Sequence, residues 1–280
     1  MRARRFVQCD VFSPIPTQGN GLAVVVDGEG LSDAQLRTFA AWTNLAETTF
    51  LLPPQDPSAD YKVRIMTPSR EMLFAGHPTL GSCAAWLHTG GVPKNPNVVR
   101  QECGVGIVEI DISAEPPAFV APPTQIRPIA TAALESIITT LEIPPETVLH
   151  SAELENGPVW QALHLDSAAQ VLALDSARVR WPAFKAIGLI GAHSDGAECD
   201  YEVRMLAPSS GMSEDPITGS LNAALAHWMY ADGRLRGPVS VAQGTNIARH
   251  GRVTIRPNAD GQKIYIGGHS HVVIEGTVHL

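Results

Sequence analysis

Basic residues are scarce in this 280-residue chain: 20 Lys and Arg stand against 28 Asp and Glu, for a formal net charge of -8. A nucleic-acid partner is not expected, because binding phosphates needs a basic face. The start, Met1-Arg2-Ala3-Arg4-Arg5, is basic, but no signal-peptide core follows it. Phe6-Val7-Gln8-Cys9-Asp10 turns polar at once. No apolar run reaches the length of a membrane span, so the expectation is a cytoplasmic protein with no membrane partner. Cysteine is sparse as well. Cys9, Cys83, Cys103 and Cys199 form no C-x-x-C pair and lie far apart. That spacing argues against a disulfide framework or a zinc site and for reduced, buried thiols. Gly104-Val105-Gly106 is not completed to G-x-G-x-x-G, so no dinucleotide fingerprint is present.

What is present is the composition of a folded globular protein, 44% hydrophobic and 17% charged. The length suits one large domain or two ordinary ones. An internal repeat favours two. Val63-Arg64-Ile65-Met66-Thr67-Pro68-Ser69 parallels Val203-Arg204-Met205-Leu206-Ala207-Pro208-Ser209. A Gly/Pro loop follows each, Ala75-Gly76-His77-Pro78-Thr79-Leu80-Gly81-Ser82 in one and Asp215-Pro216-Ile217-Thr218-Gly219-Ser220 in the other. An Ala-rich helix then begins in both and stops at Gly90-Gly91 or Gly233. These helices have little polar surface, so each is expected to be buried inside a curved sheet.

The flanks repeat more weakly. Ala23-Val24-Val25-Val26-Asp27 pairs with Val171-Leu172-Ala173-Leu174-Asp175, and the segment from Gln101 pairs with Gln243-Gly244-Thr245. Ser32 and Gln35 form a capping box for a helix running to about Trp42. Leu134, Ile137, Ile138 and Leu141 mark one face of a helix that Pro144-Pro145 stops. Strands are expected at Val253-Thr254-Ile255 and Lys263-Ile264-Tyr265-Ile266. The fold class is therefore α+β, in two pseudo-symmetric halves, residues 1–117 and 118–280. The final strand is left open to pack back on the first half.

Helix starts carry free N–H groups and partial positive charge, so two Gly loops leading into two helices suit a small carboxylate. If the halves face each other, both starts converge on one cleft. In Asn44-Leu45-Ala46-Glu47-Thr48-Thr49-Phe50 a carboxylate precedes an apolar, β-rich run. A glutamate at the buried end of a strand loses solvation, and its pKa is expected to rise toward neutrality. His269 and His271 share one face of a strand, but no third ligand lies nearby and a plain strand is expected.

Four segments closely resemble the PhzF-like phenazine-biosynthesis isomerase family. They are Gln18-Gly19-Asn20-Gly21, Asn44 to Phe50, Phe74-Ala75-Gly76-His77-Pro78-Thr79, and Glu214-Asp215-Pro216-Ile217-Thr218-Gly219-Ser220. The resemblance implies the diaminopimelate-epimerase-like fold, with a mostly antiparallel sheet wrapped around a central helix in each half. It implies no metal, no organic cofactor and a homodimer. Carried over by position, Glu47 matches the proton-shuttling glutamate, and His77, Asp215 and Ser220 match other active-site positions. Gly76 and Gly219 match the backbone that holds a substrate carboxylate, and Thr218 and Asn20 match further substrate-binding positions. The expected activity is a proton shift within a small carboxylate substrate. The alternatives are an epimerase or racemase of a small amino or hydroxy acid, and a non-enzymatic carboxylate binder. Neither Gly loop contains a cysteine, which disfavours a two-thiol racemase mechanism. The chain departs from the family pattern at Gly21, Ala46, Ile217 and Leu221.

Overall fold

The structure, a computed structural model, describes residues 1–258 and 260–280. The chain divides into two compact units, Met1–Pro122 with Gly267–Leu280, and Pro123–Ile266.

The first unit contains β1 (Ala3–Val11), β2 (Asn20–Val25), α1 (Asp33–Thr43), β3 (Glu47–Leu52), β4 (Tyr61–Met66), β5 (Glu71–Met72), α2 (Gly76–His88), β6 (Val98–Cys103), β7 (Gly106–Asp111) and β8 (Ala118–Val120). The last strand of the chain, β18 (Ser270–His279), completes it. β1 lies between β18 and β2, antiparallel to both. The sheet continues through a parallel β2–β3 pair, antiparallel β3–β4, parallel β4–β6, and antiparallel β6–β7 and β7–β8. Short β5 folds back on β4.

α2 touches β18 and β8, the outermost strands, as well as β1, β2, β3 and β6, so the sheet curls around it. Nine of its 13 residues are buried, which is why its sequence reads as apolar on every side. Gly81 permits the close approach. A Cβ there would lie 2.6 Å from Leu22 Cδ2 and 2.8 Å from Val11 Cγ2. α1 packs outside the sheet through Leu36, Phe39 and Ala40, against Val25, Phe50 and Met66. Its start has the capping box read from Ser32 and Gln35.

The second unit contains β9 (Gln125–Arg127), α3 (Thr131–Leu141), β10 (Val148–Glu155), β11 (Val159–Leu165), α4 (Ala168–Ala173), β12 (Ile187–Ala192), β13 (Tyr201–Leu206), β14 (Glu214–Asp215), α5 (Gly219–Ala231), β15 (Val239–Gln243), β16 (Gly251–Pro257) and all but the last residue of β17 (Ile264–Gly267). Its sheet repeats the first unit's pattern. β9, β10 and β11 are antiparallel, β11–β12 is parallel, β12–β13 antiparallel, β13–β15 parallel and β15–β16 antiparallel. β14 folds back on β13 as β5 does on β4. α5 buries ten of its 13 residues and touches β10 and β16. Ile137 and Leu141 of α3 join Leu163, Ile187 and Leu206 in a core cluster.

The β4/β13 and α2/α5 equivalences expected from sequence hold, but one flank equivalence does not. The counterpart of β2 is β11, whereas Val171-Leu172-Ala173 lies in α4. Ser167 explains the difference: its side chain accepts from Gln170 N–H and starts a helix just before the apolar run. A run of four apolar residues, Val171 to Leu174, has no period by which to tell strand from helix.

Candidate active-site residues of the two units

In the first unit Asn44 ends α1 in the left-handed conformation, at φ 51°, which asparagine tolerates well. The turn brings the chain into β3, whose first residue is Glu47, paired with Leu22 of β2. The Glu47 side chain is only 16% exposed. His77, the second residue of α2, is fully buried and brings Nε2 to 3.4 Å from Glu47 Oε2. On the other side of the ring, Asn20 Nδ2 lies 3.2 Å from His77 Nδ1. With Asn20 donating, Nδ1 accepts and the neutral ring carries its proton on Nε2, facing Glu47. Burial pushes the His77 pKa down to about 3, so the contact joins a neutral imidazole to a carboxyl group and is not an ion pair at neutral pH. Asn20, Glu47, Gly76 and His77 are thus assembled within one unit.

In the second unit Asp215 lies in β14, opposite Met205, and is 8% exposed. Its neighbour Glu214 makes a bidentate pair with Arg204, Nε to Oε1 at 3.0 Å and Nη2 to Oε2 at 2.6 Å, both side chains being buried. Arg204 Nη1 also donates to the carbonyls of Val171 and Leu174. Thr218 precedes α5, and its hydroxyl donates to Asp215 Oδ2. Ser220, the second residue of α5, is buried, and its carbonyl accepts from Asn156 Nδ2 at 2.8 Å. Asp215, Thr218, Gly219 and Ser220 are therefore brought together as one turn.

The two helix starts differ from those of α1 and α4. Ser32 and Ser167 cap their own helices, whereas neither Ala75 nor Thr218 gives a side-chain cap. The first-turn N–H groups of Gly76 and His77, and of Gly219 and Ser220, have no carbonyl one turn back to meet. Such ends attract an anion.

Two departures from the motif pattern point into the core. Leu221 is fully buried over Gly188, where a Cβ would lie 2.5 Å from Leu221 Cδ1. Ile217 is fully buried over Gly251, where a Cβ would lie 2.3 Å from Ile217 Cγ1. Glycines on the facing strands accommodate the larger side chains. Elsewhere, all four cysteines are free and buried, and burial pushes the Cys9 and Cys83 thiols up to about 12. His271 approaches the Ser13 carbonyl at 2.9 Å, and His269 lies 3.3 Å from Glu115.

Gln101 and Gln243, outside the matched motifs, also carry buried hydrogen bonds to the helix starts. Both are fully buried in equivalent strands, Gln101 within β6 opposite Tyr61 and Gln243 at the end of β15 opposite Val203. Gln101 Nε2 donates to Thr79 Oγ1 at 3.0 Å, and Gln243 Nε2 to Thr218 Oγ1 at 3.0 Å. Their recurrence in the repeat was the available signal.

A sheet curled around a buried, uncapped helix, built twice in one chain, defines the diaminopimelate-epimerase-like fold class. The chain belongs to the PhzC-PhzF family, whose model, described as phenazine biosynthesis-like protein, matches residues 9–276. It is 32% identical to antisense-enhancing sequence 1 of Schizosaccharomyces pombe, over 99% of each chain. It is 29% identical to trans-2,3-dihydro-3-hydroxyanthranilate isomerase of Pseudomonas aeruginosa, again over 99% of each. Its fold matches the crystal structure of the Bacillus anthracis phenazine biosynthesis protein of the PhzF family with a TM-score of 0.82, 20% identity and full coverage of both chains. The chain is an isomerase of this family. Among the described residues, no helix is long and apolar enough to cross a membrane.

Proposed function

We propose that the chain is a cofactor-independent isomerase that moves a proton within a small carboxylate substrate, with Glu47 as the acid/base. The array at the start of α2 carries this reading. Glu47 is mostly shielded from water, 3.4 Å from a neutral histidine whose other nitrogen is held by Asn20. A carboxylate held beside a fixed N–H donor can take a proton from one carbon of a substrate and deliver one to another. His77, with a pKa near 3, is no base at neutral pH and serves as an N–H donor that orients Glu47 or a substrate oxygen. The uncapped N–H groups at Gly76 and Gly219 suit the carboxylate, and Asp215, Thr218 and Ser220 supply polar contacts or assist proton transfer. The similar Pseudomonas enzyme acts, by its name, on trans-2,3-dihydro-3-hydroxyanthranilate, which is itself a carboxylate. A homodimer is part of the same proposal, and sedimentation of the purified chain tests it.

Small carboxylates screened for hydrogen exchange in D₂O identify a substrate. Glu47→Gln removes the proton carrier at constant shape. It is expected to lower turnover by about 10³-fold or more, while melting temperature and carboxylate binding stay near wild type. An active Glu47→Gln enzyme overturns the reading. Deuterium at a carbon other than the one that lost hydrogen marks an isomerase, whereas label back at the same centre marks an epimerase. Ser220→Ala and Asn20→Asp, assayed on one substrate, decide whether both units serve one reaction.

A further inference from the structure

We infer that Gln243 is a positioning residue that fixes Asp215 as a hydrogen-bond acceptor, through a one-way chain of hydrogen bonds across Thr218. This rests on the reading above, in which Asp215 takes part in the reaction. The direction of each bond follows from groups with no choice of role. The backbone N–H of Thr218 can only donate, so the Gln243 atom 3.0 Å from it is Oε1. Asn222 Nδ2 donates to that same oxygen at 3.0 Å and to the Thr218 carbonyl at 3.0 Å, which can only accept. Gln243 Nε2 is then left to face Thr218 Oγ1 at 3.0 Å and the Asp215 carbonyl at 3.5 Å. An amide nitrogen donates, so the threonine oxygen must accept. Its single proton is thereby committed to Asp215 Oδ2. Any proton that Asp215 holds sits on its other oxygen.

The fold itself does not require this chain. In the first unit the glutamine of the matching strand, Gln101, lies two register positions away, opposite Tyr61 where Gln243 lies opposite Val203, and spends Oε1 on the Tyr61 hydroxyl at 2.9 Å and Nε2 on Thr79. The residue preceding α2 is Ala75, which has no hydroxyl to pass a bond onward. The same scaffold is built there without the relay, so in the second unit the relay serves Asp215. Each member is buried, where a misdirected hydrogen bond leaves a polar group without solvent or partner, and this holds the polarity fixed.

Gln243→Glu tests this with little change of shape. The oxygen retained from the amide still accepts from Thr218 N–H. The other, when ionised, must accept from the Thr218 hydroxyl and turns it away from Asp215. The expected result is a kcat lowered by about tenfold or more. KM should change less, and the acid limb of the pH–rate profile should move upward, because Asp215 loses a donor and gains a neighbouring negative charge. If that variant does not fold, Thr218→Val and Thr218→Ser replace it. The valine should reproduce the shifted profile and the serine should restore the wild-type one. An unshifted profile in Gln243→Glu, or a wild-type profile in Thr218→Val, overturns the inference. Asp215→Asn separates the two readings. If it is fully active, Asp215 has no part in the reaction and the underlying reading fails with the inference. If it is impaired while Gln243→Glu keeps the wild-type profile, only the inference fails.

Discussion

A buried neutral histidine has two nitrogens and one proton, and its neighbours decide which nitrogen keeps it. For His77 the deciding neighbour is Asn20, whose amide nitrogen sits 3.2 Å from Nδ1 and leaves the proton on Nε2, toward Glu47. Asn20→Asp replaces that donor by an acceptor of nearly the same shape. The ring is then expected to put its proton on Nδ1, so that Nε2 meets Glu47 with a lone pair. Nitrogen-15 shifts of the labelled imidazole would report the exchange of tautomers. The kcat should fall by at least about tenfold, roughly 1.4 kcal/mol of barrier, with a smaller change in KM. A variant with unchanged tautomer and unchanged kcat would remove Asn20 from the site. The candidates Asn20, Glu47 and His77 are legible in the sequence because each sits in a short local motif. Their hydrogen-bond polarity is not legible, since it is set between residues 57 apart in the chain.

The two halves place the same ion pair at the same topological point, the fold-back of a short strand, but in different surroundings. Arg64 pairs with Glu71 and Asp33 near the surface, and those three side chains are 22%, 41% and 62% exposed. Arg204 pairs with Glu214 at 1% and 0% exposure, one residue before Asp215. Solvent already satisfies most of what the first pair offers, so Arg64→Met is expected to cost only about 0–1 kcal/mol in urea unfolding. Arg204→Met leaves a buried carboxylate without its partner and two carbonyls without a donor, for an expected cost of about 3–5 kcal/mol. Equal costs at the two positions would refute the contrast. The repeat is readable because strands ending in x-Pro-Ser and helices opening at Gly recur in order. The asymmetry between its copies is not readable. Val203-Arg204-Met205 and Val63-Arg64-Ile65 look alike as strings, and only packing beneath α4 buries one arginine and leaves the other in water. Similarly, Leu221 and Ile217 look like changes to a pocket until Gly188 and Gly251 are found opposite them.

For the whole molecule, buried neutral histidines contribute to the response to acid. Burial holds His77 at a pKa of about 3, and burial together with the nearby Arg234 and His150 charges holds His164 at about 4. An unfolded chain would titrate both near 6.5. Between these values the unfolded state binds protons that the native state refuses, so stability must fall as pH is lowered through that window. The loss is absent above about pH 7, where both states are neutral, and stops growing for each histidine once the native ring also protonates. For His77 the slope is about 1.4 kcal/mol per pH unit, in the range where the unfolded ring is charged and the native ring is not. Wild type and His77→Gln unfolded by urea at pH 7, 5.5 and 4.5 isolate this contribution, because the carboxylates are common to both proteins. The variant should lose stability more slowly toward acid, so the difference between the two proteins narrows or reverses as pH falls. Parallel pH dependences would mean that His77 is protonated in the native state. The ring would then carry a proton on both nitrogens, and the contact with Glu47 would be an ion pair after all.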